Sequence, residues 1–172
     1  MKNYIILILL LLVVGGCATA TGKPMVQMEK DVSLTGYKSF EVIPVIDETG
    51  KTFEFDVADE LTKYIKSKIK EEGYVINEEK EAKDSVLVIK SSLVAYDSGS
   101  AFKRWLLPGA GKTRATVKAS LIDKITGRTI GEIVIAKEVG AGGLYSVGAD
   151  KWILEVIATD ISNEIDKKIK GD

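Results

Sequence analysis

Residues 113–139, TRATVKASLIDKITGRTIGEIVIAKEV, predict how this chain folds. Apolar and polar positions alternate through the first half of this stretch: Ala115, Val117, Ala119 and Leu121 against Thr116, Lys118 and Ser120. That period of two is typical of a strand with one buried face. Residues 124–128 then form a turn signal, because Gly127 can adopt positive φ. We therefore predict a β-hairpin of two long strands, 113–123 and 129–139.

The flanking sequence adds further strands and two helices. Residues 37–46, 74–76 and 85–96 are rich in β-branched and aromatic side chains and predict strands. Asp56 is a plausible N-cap for a helix over 57–72 that ends before Gly73. Apolar residues at helical spacing predict a closing helix of about 20 residues after 150. The order β-α-β-β-β-β-α favours an α+β domain over 33–172, in which a mostly antiparallel sheet of about five strands has both helices packed on one face.

The N-terminus carries the signature of an export signal that ends in a lipidation site. Lys2 precedes an uninterrupted apolar run over 4–14, and Gly15-Gly16 stands directly before Cys17. A transmembrane helix would need about 20 apolar residues. We predict a lipoprotein signal peptide over 1–16. The thiol of Cys17 would receive diacylglyceryl and palmitoyl chains, which anchor the protein in a membrane.

The segment that follows Cys17 predicts a flexible tether. Residues 17–32 are rich in Thr, Gly, Lys and Gln without a sustained period, although Met25 and Met28 are candidates for docking on the domain. Residue 18 is Ala rather than Asp. In that respect the chain resembles Gram-negative lipoproteins exported to the outer membrane, which implies a cell-envelope location facing the periplasm.

Composition excludes several classes of chemistry. The 172 residues include no histidine and one cysteine, so a Ser-His-Asp triad, a histidine-ligated zinc and an internal disulfide are all impossible. A formal charge of −1 gives no general attraction to nucleic acid. We expect no enzyme activity and no cofactor. The partners we expect are the membrane, reached through acylated Cys17, and an envelope protein.

One loop stands out as a candidate partner-binding site. Residues 102–108 interleave bases with large apolar side chains, and the candidates for contact are Arg104, Trp105, Leu107 and Lys112. Trp and Arg are enriched in binding hot spots. The competing interpretation is that Trp105 and Leu107 fold back and cover one end of the sheet.

Three other features are weaker candidates for a functional site. Gly111-Lys112-Thr113 is like the end of a phosphate-binding loop, but position 106 is Leu and the segment opens a strand instead of a helix. The glycine-rich segment 140–148, which we expect to be a mobile loop or one ordered by a partner, precedes a helix whose N-cap we predict to be Asp150. No spacing singles out a catalytic pair among the acids outside obvious surface runs, which are Asp56, Asp59, Glu60, Asp97 and Asp123. For Asp123 we expect a role in capping its hairpin turn.

A set of turn and strand motifs resembles a known family. They are Gly73-Tyr74-Val75-Ile76, Arg104 followed by Gly109-Ala110-Gly111, and Asp123-Lys124-Ile125-Thr126-Gly127. In this order after a lipidation site they resemble the bacterial lipoproteins of the domain of unknown function 4410 family, over about residues 35 to 168. The resemblance implies a periplasmic accessory or scaffold role and supplies no catalytic residue.

Two hypotheses for function follow. The first is a non-catalytic, lipid-anchored module that binds another envelope component. The second is an auxiliary lipoprotein of an export or lipid-transport system that carries an apolar ligand between sheet and helices. The sequence leaves the oligomeric state open.

Overall fold

The computed structural model describes residues 20–29, 32–77, 85–100, 103, 111–139 and 148–171. Within these residues the chain forms eight strands, β1 (Ala20–Thr21), β2 (Met25–Met28), β3 (Ser39–Val42), β4 (Ile46–Asp47), β5 (Val75–Ile76), β6 (Val86–Asp97), β7 (Thr113–Asp123) and β8 (Thr129–Val139). It also forms two helices, α1 (Val57–Glu71) and α2 (Ala149–Lys170). The predicted α+β class is confirmed.

The hairpin of β7 and β8 has the predicted bounds. Its turn is closed by Asp123, whose carboxylate accepts hydrogen bonds from the Thr126 backbone N–H at 2.7 Å and from the Thr126 hydroxyl at 2.6 Å. Gly127 has a φ of +69°, as the turn requires. The alternation of apolar and polar residues, together with the turn residues, therefore correctly predicted the hairpin of β7 and β8.

The rest of the sheet differs from the prediction of about five mostly antiparallel strands. Its order is β1-β8-β7-β6-β3-β5, with β2 also paired to β8 and β4 to β6. It is mixed, because β3 and β4 run parallel to β6, and β5 runs parallel to β3. Helix α1 lies between β4 and β5 in sequence. It carries the chain back to the end of the sheet where β3 began, so β5 can run parallel to β3. The predicted single strand 37–46 is divided, since Pro44 between β3 and β4 has no N–H to donate.

The prediction of a flexible tether over 17–32 is wrong for residues 20–29. β1 pairs antiparallel with the end of β8, and β2 pairs antiparallel with its first half. These residues, which we call the strap, cover the edge of β8 that the hairpin would otherwise leave unpaired. Residues 17–19 and 30–31 lie outside the described residues.

The helices begin and end close to where the sequence predicts. Asp56 caps α1, since its carboxylate accepts from the Asp59 N–H at 2.9 Å. The prediction that Asp150 caps α2 is wrong: Gly148 holds that position without a side-chain cap, and Asp150 lies in the first turn.

The core lies between one face of the sheet and the two helices. Helix α2 contacts β7, β8 and α1, while α1 packs on β3, β4 and β5. The apolar residues at helical spacing that predicted α2 form a buried stripe, with Ile157 and Ile165 at 0% and Ile161 at 1% exposure. The opposite face of the sheet is more polar and carries the Lys118–Glu132 ion pair at 2.9 Å.

Candidate functional site

The candidate site is built on the chain reversal that leaves β6 and enters β7. Asp97 ends β6, and its carboxylate accepts from the Gly99 N–H at 2.8 Å. The Ser100 N–H donates to the Gly111 carbonyl at 3.0 Å, and the Thr113 hydroxyl donates to the Ser98 carbonyl at 2.9 Å. Thr113 is fully buried. These hydrogen bonds join residues 97–100 to residues 111–113 and so fix the base of the loop on both sides of the segment 101–110.

Three cations meet around this base, and we call Lys103, Lys112 and Arg114 the basic corner. Together with Asp97, Gly99, Ser100 and Gly111 they line a surface cleft of about 360 Å³. Glu138 on β8 joins two of them, because Lys112 Nζ pairs with its Oε1 and Arg114 Nε lies 2.7 Å from its Oε2. These two bonds hold the pKa of Glu138 below its ordinary value, Lys112 making the larger contribution.

The strap begins at the same end of the sheet. Ala20 is the register partner of Val139, and Val139 is the partner of Thr113. Since neighbouring strands lie about 4.8 Å apart, Ala20 is about 10 Å from Thr113 across the sheet. The first described residue of the chain is thus close to the basic corner.

A buried lysine fixes the strap. Lys137 on β8 donates to the Gly22 carbonyl at 2.6 Å, and the same Nζ is 2.6 Å from Asp160 Oδ2 on α2. Gly22 has a φ of +121°, and a Cβ there would lie 2.0 Å from the Ala136 carbonyl oxygen, so the approach of strap to β8 requires glycine.

Met28 fixes the other end of the strap. A Cβ at Gly131 would lie 2.5 Å from the sulfur of Met28, which shows that the thioether occupies the space a side chain at Gly131 would need. Met25, the other docking candidate, stays 66% exposed. Sequence reasoning missed the strap because its alternating pattern covers only the four residues of β2, too few to outweigh a composition typical of linkers.

Of the predicted partner-binding residues, the structure places Lys112 in the basic corner. Arg104, Trp105 and Leu107 lie outside the described residues, as does Cys17, and their roles remain predictions. Lys103 was not among the predicted residues, although its position next to Arg104 in a basic stretch could have suggested it. Thr113 begins β7, so Lys112-Thr113 opens a strand, contrary to what a phosphate-binding loop requires.

The acids outside obvious surface runs have structural partners. Asp56 and Asp97 cap a helix and a turn, and Asp59 pairs with Lys63 at 2.6 Å. Asp123 also accepts from the Tyr37 hydroxyl at 2.6 Å. Hydrogen bonds from Thr126 and then Tyr37 lower the pKa of Asp123. Among the described residues no group of three or more acidic or thiol side chains is placed to hold a metal ion.

The family model called Domain of unknown function (DUF4410) matches residues 43–143. The chain belongs to this family. The match runs from the residue after β3 through β4, α1 and the strands β5 to β8, so it contains the hairpin and the basic corner. The strap and α2 lie outside the matched part of this DUF4410 chain. No curated protein matches the sequence significantly.

Two solved structures share the fold of this DUF4410 chain at low sequence identity, and a third is less similar. A PelC dodecamer from Paraburkholderia phytofirmans has a TM-score of 0.54 at 14% identity, over 83% of this chain and 96% of that one. Protein XCC0632 from Xanthomonas campestris has a TM-score of 0.50 at 10% identity, over 84% and 97%. Lipoprotein GNA1162 from Neisseria meningitidis has a TM-score of 0.46 at 13% identity, over 75% and 98%. In the described part of the chain, none of the helices is both long and apolar enough to cross a membrane.

Proposed function

We propose that this protein is a lipid-anchored module of the cell envelope, attached through acylated Cys17 to the outer membrane and facing the periplasm. It acts as a non-catalytic accessory or scaffold that binds another envelope component. The signal-like run 4–14 and the small residues before Cys17 support the anchor.

The observation that carries this proposal is the short distance between Cys17 and the folded domain. β1 begins at Ala20, three residues after Cys17. Three residues span at most about 11 Å when fully extended. A lipid on Cys17 would therefore hold the domain against the membrane surface instead of at the end of a long tether. A module held in this way meets partners that lie in or on the same membrane.

Three carboxylates whose pKa is displaced are engaged by neighbouring side chains in a way that does not suit a general acid. The Tyr74 hydroxyl donates to Asp166 at 2.7 Å, and hydrogen bonds from Lys170 and then Tyr74 lower the pKa of that carboxyl. Asp123 and Glu138 are engaged in the same manner by turn and strand neighbours. Each of these carboxylates is stabilised in its charged form, the opposite of what a general acid at neutral pH needs.

Among the described residues, the packing gives no support to the ligand-carrier hypothesis. It needs space between the sheet and the helices, where Leu93, Val117 and Ile157 are fully buried members of one hydrophobic cluster. The clefts at the basic corner and on the open face of the sheet are lined by surface residues. The contacts of the described residues therefore favour the accessory module.

Photocrosslinking in cells tests the proposal by position. A crosslinking amino acid is placed at Lys118 on the open face of the sheet, or as a matched control at Lys63 on α1, whose side chain is 66% exposed. The acylated chain then reports its neighbours, and mass spectrometry identifies them. The proposal expects one discrete envelope protein, or a second copy of the chain, captured at one position only. Equal background at both positions in the anchored chain would contradict an accessory role.

A second copy is a natural first partner to examine. The fold is shared by PelC, which forms a dodecamer. Homo-oligomers bury the same surface patch in every subunit, so capture of the chain by itself would define an assembly surface. Sedimentation of the detergent-extracted protein distinguishes this outcome from capture of a different protein.

A further inference from the structure

We propose that the basic corner faces the membrane that holds Cys17 and binds the phosphates of anionic lipid headgroups there. The inference rests on the proposed anchor at Cys17 and extends it to an orientation and a ligand. Nothing in the family assignment implies it.

The basic corner and the start of the strap lie at the same end of the sheet. Acylation would hold Cys17 at the bilayer surface, and Ala20 lies at most about 11 Å from it along the chain. Ala20 is two strand spacings, about 10 Å, from Thr113. Lys112 precedes Thr113, and Arg114 follows it. The basic corner therefore lies at the end of the sheet that the anchor brings to the membrane.

The charge of the basic corner suits an anionic membrane surface. The corner has three cations, Lys103, Lys112 and Arg114, against two acids, Asp97 and Glu138, which leaves it with an excess of positive charge. The surface potential of an anionic leaflet extends over about 8 to 10 Å at physiological salt. A basic group within that distance is attracted to the membrane, and lysine and arginine are the usual donors to phosphate oxygens.

Charge is distributed unevenly across the domain, because an acidic helix turn lies on the side opposite the strap. The first turn of α1 carries Asp56 as its cap with Asp59 and Glu60 behind it. Helix α1 packs on β3, β4 and β5, at the opposite side of the sheet from β8 and the strap. Anionic lipid would repel that acidic turn and attract the basic corner. Charge and anchor thus favour the same tilt of the domain.

A fluorophore placed at two ends of the sheet tests the orientation. Ser98→Cys puts the label beside the basic corner and leaves its three cations in place, and Ile125→Cys, a 70% exposed residue in the β7–β8 turn, puts it at the far end. β7 separates the two ends by about 35 Å, given a rise of about 3.3 Å per residue. The acylated chain is reconstituted into phosphatidylglycerol-phosphatidylethanolamine vesicles or into phosphatidylcholine vesicles. Quenching by aqueous acrylamide then measures the exposure of each label.

The inference expects protection at position 98 in phosphatidylglycerol vesicles, none at 125, and loss of protection in phosphatidylcholine or at high salt. Arg114→Gln should reduce the ratio of protected to unprotected chains about five-fold, the effect of one cation near an anionic surface. Equal quenching at 98 and 125 in chains that are acylated and vesicle-bound would overturn the orientation while leaving the anchor intact. Protection that persists unchanged in phosphatidylcholine would overturn the phosphate contact. Failure of acylation, read by intact mass, would instead overturn the proposed anchor.

Discussion

Lys137 on β8 and Asp160 on α2 form a buried ion pair that joins three parts of the fold. Lys137 is 9% exposed, its Nζ lies 2.6 Å from Asp160 Oδ2, and it also donates to the Gly22 carbonyl of the strap. One ammonium group thus ties the strap and the closing helix to the sheet. Because a buried charge is costly without partners, the strap, sheet and helix are energetically coupled at this point.

Lys137→Met should release the strap and destabilise the domain. The substitution leaves the Asp160 carboxylate without its cation and the Gly22 carbonyl without its donor, which we expect to cost about 3 kcal/mol in the free energy of unfolding. Chemical denaturation measures this cost, and limited proteolysis reports whether residues 20–29 become accessible. The double variant Lys137→Met with Asp160→Leu should recover part of the loss. A single variant with the stability of the parent and an intact strap would disprove the coupling.

Ile161→Ala should destabilise the domain by about 2 to 5 kcal/mol, because it leaves a cavity where α2 meets the sheet. Ile161 is 1% exposed, and Asn163, two residues along the same helix, is exposed. Asn163→Ala is therefore the control and should change stability by less than about 0.5 kcal/mol. An equal denaturation midpoint for both variants would show that the stripe of α2 is not core.

Two tyrosines should titrate late. Burial, followed by the hydrogen bond to Asp123, raises the pKa of Tyr37 from 10.0 to about 12. Burial and the bond to Asp166 raise the pKa of Tyr74 to about 12 in the same way. Since the folded-state values exceed the unfolded value, this contribution to stability is complete below pH 10 and is lost between pH 10 and 12.

Ultraviolet titration of tyrosinate in the native protein checks this expectation. Tyr37→Phe should remove one of the late-titrating groups and flatten the alkaline fall in stability. Both tyrosines ionising near 10, or an unchanged alkaline limb in Tyr37→Phe, would show that their hydrogen bonds to acids are not maintained in solution.

The elements that could be predicted from the sequence are those with a long periodic pattern or with turn and cap residues close to where they act. The alternation in β7 and β8, the turn at Asp123 and Gly127, and the cap at Asp56 are encoded within a few residues of where they act. Strand direction and pairing are not. Whether β3 runs parallel or antiparallel to β6 depends on where α1 returns the chain, and the docking of Met28 over Gly131 depends on residues about 100 positions apart.

In the candidate site, too, residue types could be predicted from the sequence but their contacts could not. Lys112 was predicted from residue type in a basic stretch, but its pairing through Glu138 depends on the register of β7 and β8. Lys103 emerged only from its position beside the cleft. The nearness of Ala20 to Thr113 required the strap, which composition assigned to a tether.

Trp105→Ala tests whether the predicted loop is a contact site. A binding hot spot loses more than about 1 kcal/mol of affinity on truncation, with little change in folding. We expect the variant to keep its thermal stability and to lose partners or membrane contact in fractions recovered from cells. A fall in stability of several kcal/mol with an unchanged partner profile would identify Trp105 as packing.

The central claim is that Cys17 is acylated and holds the domain at a membrane. Metabolic labelling with palmitate, followed by membrane fractionation, tests it in the parent chain and in Cys17→Ala. The account predicts label and membrane association for the parent, and neither label nor a cleaved, lipid-anchored form for Cys17→Ala. A Cys17→Ala chain that still carries the label and sediments with membranes as the parent does would contradict it.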